Sequence, residues 1–438
     1  MSKDIKYLFI TIISLIFIFC SVWLVGINFA VIMLSLFICL NIIYFEKQKQ
    51  KSIINPVTFI GLFWFLYTNA DFINNIDNSS YLKNVSGYVY FLYTLIIVIF
   101  YIAYSTFSFS PGKKKYTFSS THEWTIKIAS SISLILISVQ YYYLIFVFGG
   151  WDFIFLSKGE RTLLISGVSI IYTASSQILY MLAPLMYILS KRNRLRSIKY
   201  LSYLMIFSNV TISLLIIDRS NLLISILPII FLKDHFNKIS NYLLGLLSIG
   251  AFIILIDFKN LVFNILNNSS VFSLNIKIPE EFFVSFSITK DIIEKLESNS
   301  IEYLYGMSYL ETLLTTLIPF VQVDALSTWY VKTYYPSIYN SGGGLAFSSV
   351  AESVLNFGIV GILIYFILIG YVFKSVAIKK DNSDLFLLFY SLLIPMTYKL
   401  FRSEFYSLIK TPVWFWIMPL LLILLLNSLF NSVKMKGK

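Results

Sequence analysis

Six arginines occur in the 438 residues, and they fall into two sets. Arg192, Arg194 and Arg196 share one short basic stretch with Lys191 and Lys199, whereas Arg161, Arg219 and Arg402 each stand beside an apolar run. A guanidinium offers a planar fork of donors that engages two phosphate oxygens at once, so three isolated arginines brought to one face would hold a phosphate or pyrophosphate. The plainer reading of each is an interfacial side chain that snorkels to water. A second constellation comprises Gly342, Gly343 and Gly344, then Ser348 and Ser349, then Glu352 within an apolar run. Glycines let backbone approach a bulky ligand, and the start of the helix that follows offers N–H groups and a positive dipole end. These glycines and Ser348 therefore complete an expected pyrophosphate cradle.

The cradle needs a base beside it. An ionised carboxylate in an apolar helix is costly unless it is paired or faces a wet cavity, which makes Glu352 the first candidate. Glu404 is the second, and Asp218, Glu311 and Asp324 are further ones. Asp218 and Glu404 lie within two residues of Arg219 and Arg402, where a local ion pair is the plainer reading. The sequence contains no Gly-x-x-x-x-Gly-Lys phosphate loop, no His/Cys metal spacing and no Asp-x-Asp pair. Fixed cations must then neutralise a departing pyrophosphate, with no cofactor and no metal called for. The aromatic groups Tyr303/Tyr305 and Trp329/Tyr330/Tyr334/Tyr335 suit a bilayer interface or stacking on sugar rings.

Apolar helices must position these groups. The chain is 58% hydrophobic, 18% aromatic and 13% charged, with a mean hydropathy of +0.78. Such a composition excludes a soluble domain and defines an all-α, polytopic membrane protein. Apolar runs predict about twelve spans, at 7–25, 27–45, 56–72, 88–107, 126–148, 165–190, 200–217, 221–232, 240–257, 345–373, 384–400 and 412–430. With the N-terminus inside, Lys47, Lys113 to Lys115, Arg192 to Arg196, Lys233, Lys374 and the C-terminal lysines all face the cytoplasm. The net charge of +12 is therefore a topology signal and does not call for nucleic acid. His122 and His235 fall on the inner side. Cys20 and Cys39 fall within spans as small apolar residues. The eighth span is short and contains Pro228.

Three parts follow: an N-terminal bundle of about nine spans (1–257), a large outer loop (258–344), and a C-terminal bundle of about three spans (345–438). Within the loop, 280–297 and 307–320 show apolar residues at helical spacing, as amphipathic helices lying on the membrane face would. Arg161, Arg219 and Arg402 end up at outer span ends, together with the helix starts that point outward.

Residues Tyr305 to Glu311, Ile318 with Pro319, and Ser341 to Gly361 resemble the Wzy-type O-antigen (oligosaccharide repeat unit) polymerase family. The layout is also similar, with about twelve spans, a late periplasmic loop and arginines after the seventh and eleventh spans. At Phe320 the sequence departs from many relatives, which place a basic residue after the proline. The resemblance implies a metal-independent, inverting, GT-C-like glycosyltransferase in the bacterial inner membrane, with its active site facing the periplasm. It implies that a growing glycan is moved from undecaprenyl pyrophosphate to a lipid-linked repeat unit, among membrane lipids and beside a chain-length regulator protein. Two alternatives remain. A lipid-linked oligosaccharide flippase would line several spans with charge, whereas these spans are nearly free of Lys and Arg at their middles. An O-antigen ligase usually carries a histidine in the large periplasmic loop, and residues 258–344 contain none.

The topology predicts that single cysteines at Ser298 and Gly343 react with a membrane-impermeant thiol reagent on whole cells, whereas those at Lys114 and Arg194 do not. Labelling at 114 without labelling at 298 would reverse the orientation.

Overall fold

The computed structural model describes residues 29–50, 52–74, 87–107, 118, 123–150, 152, 164, 170–216, 219–240, 281–318, 321, 323–341 and 344–436. Among them there is no strand, and every long element is a helix. The first part holds α1 (Phe29–Gln50), α2 (Pro56–Asn74), α3 (Gly87–Thr106), α4 (Glu123–Tyr142, continued by a π-turn Tyr143–Val147), α5 (Ile170–Asn193), α6 (Arg196–Ile216) and α7 (Arg219–Asn237). The middle holds α8 (Glu281–Glu297), α9 (Met307–Leu317), α10 (Leu326–Tyr334) and α11 (Pro336–Asn340). The last part holds α12 (Ser349–Lys379), α13 (Asp384–Arg402), α14 (Phe405–Pro412), a second π-turn (Val413–Ile417) and α15 (Met418–Lys436).

Among the described residues, six helical segments are long and apolar enough to cross a membrane: Tyr88–Thr106, Glu123–Val147, Arg196–Leu215, Ser349–Lys379, Asp384–Arg402 and Phe405–Ser432. The protein is a polytopic membrane protein. The expected spans 7–25 and 240–257 lie outside the described residues, and the others coincide with helices. The segment expected as a short span at 221–232 is longer than its apolar run: α7 continues through Pro228 for 19 residues.

Several apolar helices bury polar side chains, and in a bilayer those groups must find partners within the protein. Ser35 of α1, Asn69 of α2 and Tyr90 of α3 close one network, with the Ser35 and Tyr90 hydroxyls each 3.1 Å from Asn69 Oδ1. Gln140 of α4 closes another, donating to Ser176 of α5 and Asn209 of α6 at 3.0 Å and accepting from Ser208. Arg192 has a larger role than its basic stretch suggests. Its guanidinium grips Asp384 at the start of α13 through Nε and Nη2, at 2.7 to 3.1 Å, and the Phe118 N–H donates to the same carboxylate.

The amphipathic stretches turn out differently from each other. The apolar residues of α8, including Phe282, Phe286 and Ile292, are buried in the main core, where α8 packs against α2 and α12. Its apolar face is therefore turned to the bundle. In α9 the pattern is inverted: Ser308, Thr312, Thr315 and Thr316 are buried, while Met307, Leu310, Leu313, Leu314 and Leu317 are exposed.

The approach of α12 to α3 depends on Gly370. A Cβ there would stand 2.8 Å from Ala103 Cβ and 2.9 Å from the Phe100 carbonyl oxygen, and backbone cannot step aside. Gly370→Ala is expected to cost about 1–3 kcal/mol of overpacking and to lower the thermal midpoint of the detergent-purified protein. Gly344→Ala, where nothing lies within 4 Å of the new Cβ, should leave that midpoint unchanged.

Candidate active site

The local geometry of the site begins with a break in a helix. The run from about Leu345 to about Phe373 reads as continuous helix in the sequence, but α12 starts at Ser349 and is interrupted at Phe357 (φ −144°, ψ 18°) and Gly358 (φ 60°, ψ −140°). Only glycine tolerates the second conformation without strain. Gly361 completes the break, since a Cβ there would lie 2.2 Å from the Ser353 carbonyl oxygen. An interruption frees backbone carbonyls that need new donors. Leu304 N–H donates to the Leu355 carbonyl at 3.0 Å and Tyr305 N–H to the Asn356 carbonyl at 3.1 Å. The segment leading into α9 is thereby fastened to the break.

Asn356 extends this junction. Its Oδ1 accepts from Gly306 N–H at 2.9 Å, and its Nδ2 donates to Ser308 Oγ and to the Glu352 carbonyl, both at 2.8 Å. Because Ser308 Oγ accepts from Asn356, its own proton points to Glu352 Oε1, 2.7 Å away. Glu352 Oε2 accepts from Phe405 N–H at 2.6 Å. The carboxylate is thus held between α9, α12 and α14 and is 1% exposed.

Glu352 opens on a cavity of about 270 Å³, together with Glu404, Glu311 and Asp324. Four of the five carboxylates singled out by sequence line this one space, and Asp218 lies outside the described residues. Ser308, Thr312 and Thr315 of α9 form one wall, and Trp329 and Tyr406 supply aromatic surface. Glu404 accepts from Ser327 N–H at 2.7 Å and Ser327 Oγ at 2.8 Å, so it holds the start of α10. Burial pushes the Glu404 carboxyl above the usual carboxylate range, and the Ser327 hydrogen bonds oppose that shift.

Of the expected pyrophosphate ligands, Arg161, Gly342 and Gly343 lie outside the described residues. Arg219 opens α7, and Gly344 lies in the segment leading to α12. Ser348 is buried and caps α12, accepting from Ala351 N–H at 3.1 Å. Arg402 ends α13, and its guanidinium carbon is 5.5 Å from the centre of the Tyr398 ring. It does not line the cavity. A cation that the sequence reading missed touches a cavity residue: Lys410 Nζ donates to the hydroxyl of Tyr406 at 2.5 Å. Its spacing of four residues from Tyr406 on α14 was the available signal.

A second cluster braces the cavity from behind. Asp291 of α8 accepts from Lys295 and from the hydroxyls of Tyr330 and Tyr335, the last at 2.7 Å. Burial acts to raise the Asp291 carboxyl, but these three donors outweigh it and hold the group below its ordinary value. Tyr330 and Tyr334 thus belong to a bracket joining α8 to α10, with Trp329 on the cavity side.

Apolar helices around a cavity lined by carboxylates, Trp329 and Tyr406 define a polytopic membrane protein with a candidate site among them. The chain belongs to the family of O-antigen polysaccharide polymerases, Wzy, whose model matches residues 5–434. Membership makes it a glycosyltransferase-type enzyme of polysaccharide biosynthesis that works on lipid-linked repeat units. No curated protein and no solved structure matches it.

Replacing Asn356 by Ala would strand Gly306 N–H and release the Ser308 hydroxyl. The expected cost is about 1–3 kcal/mol, read as a lower thermal midpoint in detergent. An unchanged midpoint would show that the break in α12 holds without this amide.

Proposed function

We propose that the protein polymerises repeat units by moving a growing glycan from undecaprenyl pyrophosphate to the non-reducing sugar of the next lipid-linked unit. The observation that carries this reading is the single cavity in which Glu352, Glu404, Glu311 and Asp324 meet Trp329 and Tyr406. Glu352 and Glu404 act as the catalytic carboxylates. One takes the proton of the attacking sugar hydroxyl as its oxygen bonds to the anomeric carbon, and the bond from that carbon to the pyrophosphate oxygen breaks with inversion. The electron pair leaves on undecaprenyl pyrophosphate. Arg161, Arg219, Arg402, Gly342, Gly343, Gly344 and Ser348 form the pyrophosphate cradle, with fixed cations supplying the charge that a metal would otherwise provide.

In the same reading the architecture is GT-C-like with about twelve spans. The enzyme sits in the bacterial inner membrane, its site faces the periplasm, and a chain-length regulator works beside it. The inverted polarity of α9 supports a lipid-linked substrate, because its buried hydroxyls face the cavity side and its exposed leucines suit acyl chains.

Deleting the gene should leave lipopolysaccharide with a single repeat unit on its core, since export and attachment of one unit do not require polymerisation. Glu352→Gln, expressed in that strain at normal level, should reproduce the deletion, with turnover reduced by about 10²-fold or more. A lipopolysaccharide gel and an assay of the lipid-linked pool read both. Bare core would point to a flippase, and bare core with long polymer on the lipid carrier would point to a ligase. A full ladder from Glu352→Gln would remove that residue from the chemistry.

A further inference from the structure

Glu404, Phe405 and Tyr406 follow one another in the sequence, and each has a different task at the carboxylate cavity. Glu404 lines the cavity and holds the start of α10. The Phe405 N–H holds Glu352, while the Phe405 ring packs against Tyr309 and Tyr365, with ring centres 5.2 and 6.1 Å away. Tyr406 then returns to the cavity wall, one residue past the N–H that fixes Glu352. Just past α14, the Trp414 indole N–H donates to the Thr316 carbonyl of α9 at 2.9 Å. Contacts at both ends of α14 therefore set Tyr406 beside the two candidate catalytic carboxylates.

The contact with Lys410 decides what the Tyr406 hydroxyl can do. An ammonium has protons and no lone pair, so in the 2.5 Å contact Lys410 Nζ donates and the phenol oxygen accepts. The phenol proton is left over, and no acceptor among the described residues takes it. Two other hydroxyls of the cavity are already spent, since Ser308 donates to Glu352 and Thr315 to the Thr312 carbonyl at 3.1 Å. Lys410 follows Tyr406 by one turn of α14, and its Nζ lies 4.6 Å from the centre of the Tyr406 ring. Among the described residues, its ammonium contacts Tyr406 alone.

A phenol donor in the wall of a space lined by four carboxylates suits a neutral ligand, because phosphate oxygens there would meet like charge. A sugar is such a ligand: it carries acceptor oxygens around its rim and C–H faces that lie on aromatic rings, and Trp329 supplies a ring in the same cavity. We propose that Tyr406 binds the acceptor sugar by donating its phenol proton to an oxygen of that sugar. Lys410 is the positioning residue, which engages the phenol oxygen and leaves the proton for the ligand. On the polymerase reading, on which this assignment rests, Glu352 or Glu404 takes the proton of the attacking hydroxyl. The sugar that bears this hydroxyl then lies beside those carboxylates, where Tyr406 stands.

The probe is the repeat-unit oligosaccharide released by mild acid from the lipid-linked pool of the deletion strain, titrated calorimetrically into the full-length protein in neutral detergent. The parent should bind it. Tyr406→Phe, which removes only the hydroxyl, should bind about fivefold more weakly through loss of one hydrogen bond, and Lys410→Met by about the same factor. Lys410→Arg keeps a charged donor and should restore the parent's affinity. Tyr406→Phe remains readable if Lys410→Met folds poorly. Inorganic pyrophosphate, titrated in parallel, should bind without regard to Tyr406. Absence of oligosaccharide binding by the parent, parent-like affinity in Tyr406→Phe or Lys410→Met, equal loss in both Lys410 variants, or Tyr406-dependent binding of pyrophosphate would each overturn the assignment. No turnover enters this measurement, so its failure is distinct from bare core in the deletion strain, which would defeat the polymerase reading itself.

Discussion

The interruption of α12 at Phe357 and Gly358 is the constraint on which the candidate site depends. A membrane helix that breaks must re-satisfy its carbonyls inside the protein, because lipid offers no donors. Here the donors come from residues 304–306, which fasten the start of α9 to the break. One consequence is that Glu352, a turn before the break, stands opposite Ser308, a turn after the fastening. A straight helix would need no such partner, and the carboxylate would face apolar neighbours at a cost of several kcal/mol.

The rest of the bundle makes this local irregularity tolerable. Gly370 lets α12 lie against α3 at backbone distance. Further along, Asp384 draws α5, α13 and the segment at Phe118 together through a two-pronged guanidinium contact. A buried charge pair is costly to desolvate, and it is retained where geometry and added hydrogen bonds compensate. Nearer the site, Ser349 Oγ donates to the Ser403 carbonyl at 2.9 Å, which fixes the start of α12 against the end of α13 and holds Glu404 in place.

The parts of this arrangement legible in the sequence are those with a large energetic signature. Apolar runs marked helices, and carboxylates beside or within apolar stretches marked Glu352 and Glu404, because such groups are expensive unless used. Ser308 and Asn356 carried no comparable signal, since serine and asparagine occur in membrane helices simply by bonding to a nearby carbonyl. The break at Gly358 fell inside a span expected to be continuous over 345–373, because periodicity does not register a break that leaves the apolar pattern intact. Stripes at 280–297 and 307–320 were visible as stripes, but a stripe does not say which way it faces. In α8 it turns to the core and in α9 away from it, and only the packing of α8 against α2 and of α9 against α14 decides that. The link from Arg192 to Asp384 spans 192 positions and had no local trace.

The inverted helix α9 also limits what the enzyme can sense. One helix, about 10 Å across, separates the carboxylates from its own exposed leucine face. In the proposed reaction a lipid anchor can stay among acyl chains while its first sugar reaches past α9, so the substrate need never leave the bilayer. The cavity, at about 270 Å³, falls just below the span of roughly 300–1,000 Å³ typical of small-molecule pockets. In the proposed reaction such a space takes only the sugars next to the new linkage and not the glycan already made. On that proposal the site reads a junction and is blind to length, and a count of repeats would be kept outside the cavity.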